Sequence, residues 1–551
     1  MNITIQYNWY TVKIISCPSR RCGYAISNDI TNVLFIISED IVKGKNIIPG
    51  CTAQIQYNEN DLKDIKNVPS CFYDNNYMYH VDKIINIQYM QKHPILLGRL
   101  CLSSKILYGA NSRNMLIYEC QSENNEYPTY IVASKLPRKG IDYYIRFKPL
   151  EWNTDNIKMK GECVEILGPI NQVDYIEIVQ YKFNMCIKSP KMFIETTNLY
   201  NPIYKAELIS IDPCSCKDID DVIGYYNDDN IEEISIHISD VTYFNYNPYI
   251  HDQVTSIYIP NKKPYNLLPK QYAEDICSLV EGKQRNVISL LVTYNRNNNE
   301  ISHKLQKRSI INSKALNYDN CYSHKVYNNI KYFIESKLNK SLNDSHELIE
   351  YLMIYTNKYV AETLCNLCNE ELILRISCLQ KEHSPAMYML YSNCLKNNKS
   401  TKHFNLNLYY YTHFTSPIRR VIDQHIHLLI KKYIFRESNI FIPDVYKLIS
   451  LVQSYNHRNY ILKKGYSELF WVMEYNNNNI YHRAKVVNIE DNGFIELYVP
   501  KIKKNIIISW SHYTLSNIID MVCPFIIGNE YTLTIKWDKI QGLNGKIITI
   551  N

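Results

Sequence analysis

Four carboxylates fall within ten residues of this 551-residue chain: Asp212, Asp218, Asp220 and Asp221, in the stretch IDPCSCKDIDDVIGY (211–225). Like charges this close repel strongly in a partly buried site, so something positive is needed to hold them together. Oxygen ligands suit a hard divalent cation, Mg²⁺ first. Two such ions ~3.5–4 Å apart can activate a water and steady the leaving oxygen of a phosphodiester. Two blander readings compete, a calcium loop and a solvated acidic turn. The calcium loop fails, because the sixth position from Asp218 is Ile223 and no glutamate stands at the twelfth. A solvated turn is the commoner state of a generic DxDD. Here Ile209, Ile211, Ile219, Val222 and Ile223 are threaded among the acids, and an apolar stretch, ISIHISDV (234–241), follows. Acids embedded in apolar sequence need a reason, and a metal site supplies one.

The elements that position these acids change along the chain. Up to about residue 190, short apolar and β-branched runs (12–15, 33–37, 84–89, 115–118, 130–133, 143–147) alternate with Gly, Pro, Asn and Asp clusters, the pattern of small β-barrels. From about 330 to 470 the spacing is helical. Leu348, Leu352, Thr356, Val360, Leu364 and Leu367 form one stripe, and Asp344 with Glu347 reads as a capping box. After the asparagine run 476–479 the strand pattern returns, while the polar runs 297–299 and 397–398 read as loop tips. No internal repeat has a fixed period. The expected architecture is multidomain α+β: N-terminal cold-shock/OB-type barrels at 1–90 and 91–195, a central mixed α/β domain at 196–475, and an S1-like barrel at 476–551.

Composition narrows the class. With 46% hydrophobic and 21% charged residues the chain is a folded one. It has no run of ~18 apolar residues and no signal-peptide pattern at its start, so it is expected to be intracellular and cytoplasmic, with no membrane partner. The 17 cysteines are then expected as reduced thiols. Cys365/Cys368 and Cys17/Cys22 lack a second pair at zinc-finger spacing and read as packing residues. A net charge of +7 is compatible with a polyanion without requiring one. The 49 tyrosines, with abundant Ile, Asn and Lys, suggest an AT-rich genome such as a protist's or a large DNA virus's, and so weaken tyrosine content as evidence of base stacking.

The acid stretch does not stand alone. IDPCSCKDIDD, ISIHISDVTYF (234–244), TSIYIP (255–260), LLPKQYAEDICSLVEGKQR (267–285), SIINSKALNYD (309–319), LMIYTNKYVAETL (352–364) and HFNLNLYYYTHFTSPIRRVIDQHIH (403–427) resemble, in order, the motifs of the RNase II/RNase R (RNB-domain) 3′→5′ exoribonuclease superfamily. Flanking stretches are similar to its other domains. Arg21-Cys-Gly-Tyr-Ala-Ile and Val33-Leu-Phe-Ile match the first cold-shock barrel; Gly98, Trp152 and Gly161 match the second; AKVVNIEDNGFIELYVP (484–500) matches the opening of the S1 barrel. On this resemblance, no endonuclease domain of the kind found in exosome-associated relatives is expected in the sequence.

The resemblance implies a magnesium-dependent exoribonuclease that degrades single-stranded RNA processively to nucleoside 5′-monophosphates with two metal ions, Mn²⁺ being the alternative cation, and a monomer as the default. Asp212, Asp218, Asp220 and Asp221 would bind metal, with Asp220 the acid whose loss most damages catalysis. Arg419 would contact the scissile or a neighbouring phosphate, Tyr258 would stack on or orient the 3′-terminal nucleotides, and Arg420 would also meet RNA. His237, Asp240, His413 and Asp423 would support the site. Lys135, Arg138, Lys139, Lys501, Lys503 and Lys504 are candidate phosphate contacts on the barrels. The chain departs from the family at Cys214-Ser-Cys216, where a Pro-Gly-type turn is usual. It departs again in HRNYILKKGYSELF (457–470), which offers lysines where bacterial members have an RNA-positioning glutamate. The family's second stacking aromatic has no assigned position. Rival readings are a catalytically silent RNA-binding protein on the same scaffold, a virion-associated packaging protein and a DNA-directed nuclease.

Overall fold

A computed structural model describes residues 10–550 apart from 20–21, 28–32, 39–40, 42–46, 48, 50, 64–76, 89–93, 151–157, 186–198, 201–203, 205, 245–246, 251–252, 261, 369–370, 378–385, 392–399, 476–479, 491–493, 503, 510–524, 538 and 545. Arg21, Trp152, Lys503 and the runs 397–398 and 476–479 therefore lie outside the described residues, as do the side chains of Cys17 and Cys22. By internal packing the chain divides into two compact units, Met1–Met185 with Ile461–Asn551, and Cys186–Tyr460. Among the described residues no helix is long and apolar enough to cross a membrane.

The first unit is built from sheets. Strands β1 (Tyr10–Ser19), β2 (Cys22–Ser27), β3 (Val33–Ser38), β4 (Thr52–Lys63) and β5 (Tyr77–Gln88) close in the order β1-β2-β3-β5-β4. Alternate residues such as Val12 and Ile14, or Ala53 and Ile55, fill the interior. A second closed barrel follows, of β6 (Leu96–Leu100), β7 (Leu116–Ser122), β8 (Tyr130–Ser134), β9 (Tyr143–Pro149) and β10 (Met159–Pro169), in the order β10-β8-β7-β6-β9. Two strand glycines face one ring: a Cβ on Gly98 or on Gly161 would come within 2.7 Å of Phe147. Helix α1 (Tyr175–Lys182) starts where the Asp174 side chain accepts from Ile176 N.

The unit ends in β19 (Ile480–Glu490), β20 (Phe494–Val499), β21 (Lys504–Ser509), β22 (Glu530–Trp537) and β23 (Lys546–Ile550). A third barrel is expected at this end, yet the described strands form an antiparallel sheet, β21-β20-β19-β22-β23, that does not close.

The second unit carries the acids. Its sheet, in the order β15-β14-β13-β12-β11-β16, comprises β11 (Leu208–Asp212), β12 (Asp221–Asn227), β13 (Ile231–Ser239), β14 (Gln284–Asn295), β15 (Glu300–Ile311) and β16 (Lys314–Asn317). The polar run 297–299 is the tip of the β14–β15 hairpin, where Asn299 takes a φ of +59°. One face, with Ile209, Ile211, Ile236 and Ile288, packs on helices α2 (Lys325–Lys337) and α3 (Ser345–Cys365); the other is covered around Leu208, Ile219, Val222 and Val287. Both faces are covered, so β13 is buried almost throughout.

Helix α3 shows how far the periodic stripe reaches. Leu348, Leu352, Thr356, Val360 and Leu364 are buried, but the helix ends at Cys365, and Leu367 lies exposed beyond it while Cys368 turns into the core. The capping box is half formed. Asp344 accepts from Glu347 N at 2.8 Å, whereas the Glu347 carboxylate accepts from Asn343 N rather than from the cap residue. A two-stranded ribbon, β17 (Ile373–Ile376) with β18 (Met387–Leu390), interrupts the region read as helical. Helices α4 (Val421–Leu429) and α5 (Val445–Tyr475) follow.

Candidate active site

The acids sit where a strand ends and its neighbour begins. Asp212 is the last residue of β11 and Asp221 the first of β12. Between them a turn closes by Cys216 N donating to Pro213 O at 3.0 Å, with Ser215 at φ +66°, a conformation that favours glycine. The departure from a Pro-Gly-type turn thus places a serine in the left-handed region without losing the turn. The remaining loop is pinned by its backbone. Ile219 N donates to Ser278 Oγ at 3.0 Å, Leu279 N to Ile219 O at 3.0 Å, and Ser239 N to Asp220 O at 2.9 Å. Burying Ile219 in the apolar cluster on that face of the sheet leaves Asp218 and Asp220 to face the cavity.

A second segment closes the site. The turn before α4 bridges to the extended segment 254–257: Ser256 N donates to Arg419 O at 2.9 Å and Val421 N to Val254 O at 3.0 Å. This pairing brings Tyr258 and Arg419 to the acids. Tyr258 Oη donates to Asp218 Oδ2 in a short hydrogen bond. Asp220 accepts from Ile418 N at 2.8 Å and lies 3.3 Å from Arg419 Nε. Asp423, fully buried in the first turn of α4, accepts from Ser416 N at 2.7 Å and from Arg420 Nη2 at 2.8 Å, so it holds the arginine-bearing turn.

Electrostatics follow from this crowding. Burial first, then the Asp220 charge, raises Asp212 to about 7. Burial raises Asp220 to about 8 although Arg419 and the Ile418 amide oppose it, and burial with the Asp212 charge raises Asp221 to about 8. For Arg419, burial disfavours the charge, but Asp220 and the other groups around it outweigh that and keep the guanidinium firmly protonated. Burial and the nearby Asp212 and Asp218 push the Cys216 thiol up, which keeps it an un-ionised thiol; its sulfur lies 3.7 Å from Asp218 Oδ1.

The donor set suits a hard divalent cation. Among the described residues buried Asp212 Oδ2 has no hydrogen-bond partner, and the raised carboxyl groups would ionise beside positive charge. Among the described residues no three acidic, cysteine or histidine side chains already converge on one coordination point. Instead Asp218 is engaged by Tyr258 and Asp220 by Arg419.

All four acids, Tyr258, Arg419, Arg420 and His413 line one cavity of about 1140 Å³. His237 and Asp240 do not. His237 is fully buried between Ser289 Oγ (2.7 Å) and Ser235 Oγ (2.9 Å), where burial and Arg308 hold it neutral. Asp240 is buried against Lys431 Nζ at 2.8 Å and Tyr200 Oη at 2.7 Å. Both brace β13 beside the acids. On the barrel unit, Lys139 donates to Tyr143 Oη at 2.7 Å and Lys504 stands 3.7 Å over the Phe470 ring, while Lys135, Arg138 and Lys501 are exposed.

The cavity also exposes residues the sequence reading passed over. Tyr318 lines it with its ring stacked on His346, centroids 3.8 Å apart. Tyr318 belongs to the SIINSKALNYD stretch (309–319), the local signal that points to it. Arg375 lines it from β17, a strand too short to show a period.

The RNB domain matches residues 201–331 and 376–436, the segments that carry the four acids, Tyr258, His413, Arg419, Arg420 and Asp423. Ribonuclease R of Chlamydia pneumoniae is 23% identical over 386 residues, covering 51% of this chain and 56% of its own length. The matches span about half the length of the curated relatives. In structure the chain is similar to Mycoplasma genitalium RNase R in complex with ribose-methylated single-stranded RNA, with a TM-score of 0.68 at 16% identity over 98% of this chain and 100% of that one. It is also similar to yeast Ssd1, a pseudonuclease, with a TM-score of 0.63 at 13% identity over 91% and 79%.

Proposed function

We propose that this chain, which belongs to the RNase II/RNase R superfamily, is a metal-dependent 3′→5′ exoribonuclease that processively hydrolyses single-stranded RNA to nucleoside 5′-monophosphates. One observation carries the reading. Asp212, Asp218, Asp220 and Asp221 meet Arg419 and Tyr258 on one cavity, and burial has raised three of the four carboxyl groups in readiness for a counter-charge.

The four acids would hold the cations, two Mg²⁺ ions or Mn²⁺ in their place. When bound, divalent ions supply a water nucleophile at neutral pH and neutralise charge on the phosphate. Arg419, released from Asp220, would pair with a phosphate oxygen and stabilise its developing charge. Tyr258, released from Asp218, would set its ring against the terminal base or sugar. Asp423 fixes the arginine turn, and His413 and Arg420 shape the wall beside it. The two closed barrels and the C-terminal sheet fit single-strand binding as OB-type, cold-shock and S1-like modules. On this reading the four-domain division (1–90, 91–195, 196–475, 476–551) and a monomeric state go with the function.

The likeness to a pseudonuclease favours one other reading, a silent RNA-binding protein. The joint presence of all four acids, Arg419 and Tyr258 in one cavity speaks for hydrolysis. Chromatography of the products from a uniformly labelled single-stranded RNA with Mg²⁺ separates the two. Nucleoside 5′-monophosphates are expected; bound but intact RNA would leave the silent scaffold.

A further inference from the structure

The same cavity holds a second group of charges. Arg375 reaches it from β17, and its guanidinium lies 4.7 Å over the Tyr388 ring. Its side chain makes no hydrogen bond or ion pair among the described residues. Arg420 donates to His413 Nδ1 at 3.1 Å and to Asp423 at 2.8 Å, yet its buried Nε has no acceptor among the described residues. A guanidinium has five donors, and donors sheltered from water are normally satisfied. His413 adds a further donor. Its Nδ1 accepts from both Arg420 and Tyr388 Oη (2.6 Å), so the ring proton sits on Nε2. Burial and the neighbouring arginines keep the ring neutral. Asp423 offsets one guanidinium, leaving about one positive charge and several unanswered N–H groups on this wall.

We propose that Arg375, with Arg420 and His413, forms a second anion subsite that takes a phosphate of the polynucleotide other than the one at the acids. The arginine fork matches phosphate geometry, and the Tyr388 face holds Arg375 ready at little cost in side-chain entropy. Arg375 and Arg420 carry their charge without any cation, so a backbone phosphate is received there whether or not metal is bound at the acids. The assignment to RNA rests on the function proposed above; the anion site itself does not.

The test has two arms, each using the full chain and the variants Arg375→Gln and Arg375→Lys. In the first, inorganic phosphate is titrated calorimetrically at constant ionic strength. Wild type should bind, Arg375→Gln should bind about 10-fold or more weakly, in keeping with loss of a charge-assisted pair, and Arg375→Lys should fall between. In the second, affinity for a labelled single-stranded RNA is measured in EDTA while one neutral methylphosphonate is walked through the 3′-terminal linkages. Arg375→Gln should weaken binding about 10-fold, and the loss should vanish when the neutral linkage occupies the subsite. Equal phosphate affinity in wild type and Arg375→Gln overturns the proposal, as does an RNA loss that stays the same at every linkage. Phosphate binding that depends on Arg375, with no RNA binding by any form, keeps the anion site and sinks the polynucleotide reading. If Arg375→Gln melts well below wild type, Arg375→Lys decides by the same criteria.

Discussion

Replacing Asp220 by Asn should make the metal-free protein more stable while removing its activity. Asp220 is 4% exposed and its carboxyl is raised from 3.8 to about 8. The folded state therefore holds the proton more tightly than the unfolded chain does, and stability falls as pH rises from 3.8 towards 8. At pH 7 the wild-type penalty is roughly 1.36 kcal/mol per unit over the interval from 3.8 to 7, or about 4 kcal/mol; at pH 5 it is roughly 1.6 kcal/mol. Asn stays neutral in both states and can still accept from Ile418 N, and the attraction of Arg419 is already contained in the raised value of about 8. A net gain of up to about 4 kcal/mol near pH 7 follows, shrinking to roughly 1.6 kcal/mol near pH 5. For a unit of this size that is a shift of roughly 2–4 °C per kcal/mol in the melting transition that reports the acid-bearing unit. Thermal melts in EDTA at pH 5, 6 and 7.5, read beside RNA hydrolysis in Mg²⁺, check both halves. An Asn variant that melts below wild type throughout this range would refute the argument that the acids are held together against their own repulsion.

Mg²⁺ should raise the melting temperature more at pH 8 than at pH 6, because Asp212, Asp220 and Asp221 must lose protons to bind it; calorimetry in buffers of different ionisation enthalpy should detect the protons released. Gly224→Ala should destabilise the acid-bearing sheet by about 1–3 kcal/mol, since its Cβ would meet Leu208 Cδ2 at 2.3 Å and Ser235 Oγ at 2.7 Å, and denaturant unfolding measures this. Lys431→Met should cost about 3–5 kcal/mol by leaving Asp240 buried and unpaired, with much of the loss recovered in the double variant with Asp240→Asn.

What could be read in the sequence was whatever is local. The acids are contiguous, so their grouping needed no tertiary knowledge, and the interleaved isoleucines announced that the loop was buried. The barrels and helix α3 showed in their periods. Features set by distant pairing were less legible. Tyr258 and Arg419 lie far apart in sequence and meet because Ser256 bonds to Arg419 across the site; only the family motifs suggested it. Arg375 is not legible because β17 and its partner β18 are each four residues long, too short to show alternation. Leu367 continued the apolar stripe on paper, but the helix stops at Cys365 and the chain turns before the period can. Closure of the C-terminal strands was expected from likeness to an S1 barrel, and strand spacing alone does not determine whether edge strands meet.

The most direct measurement is the degradation of a 5′-labelled single-stranded RNA by the purified chain with Mg²⁺, run beside EDTA, a matching DNA strand and Asp220→Asn. The account predicts a descending ladder or a short 5′-labelled limit product from RNA alone, absent in EDTA and in the variant. RNA that stays intact while shifting on a native gel, or equal loss with Asp220→Asn, would contradict it.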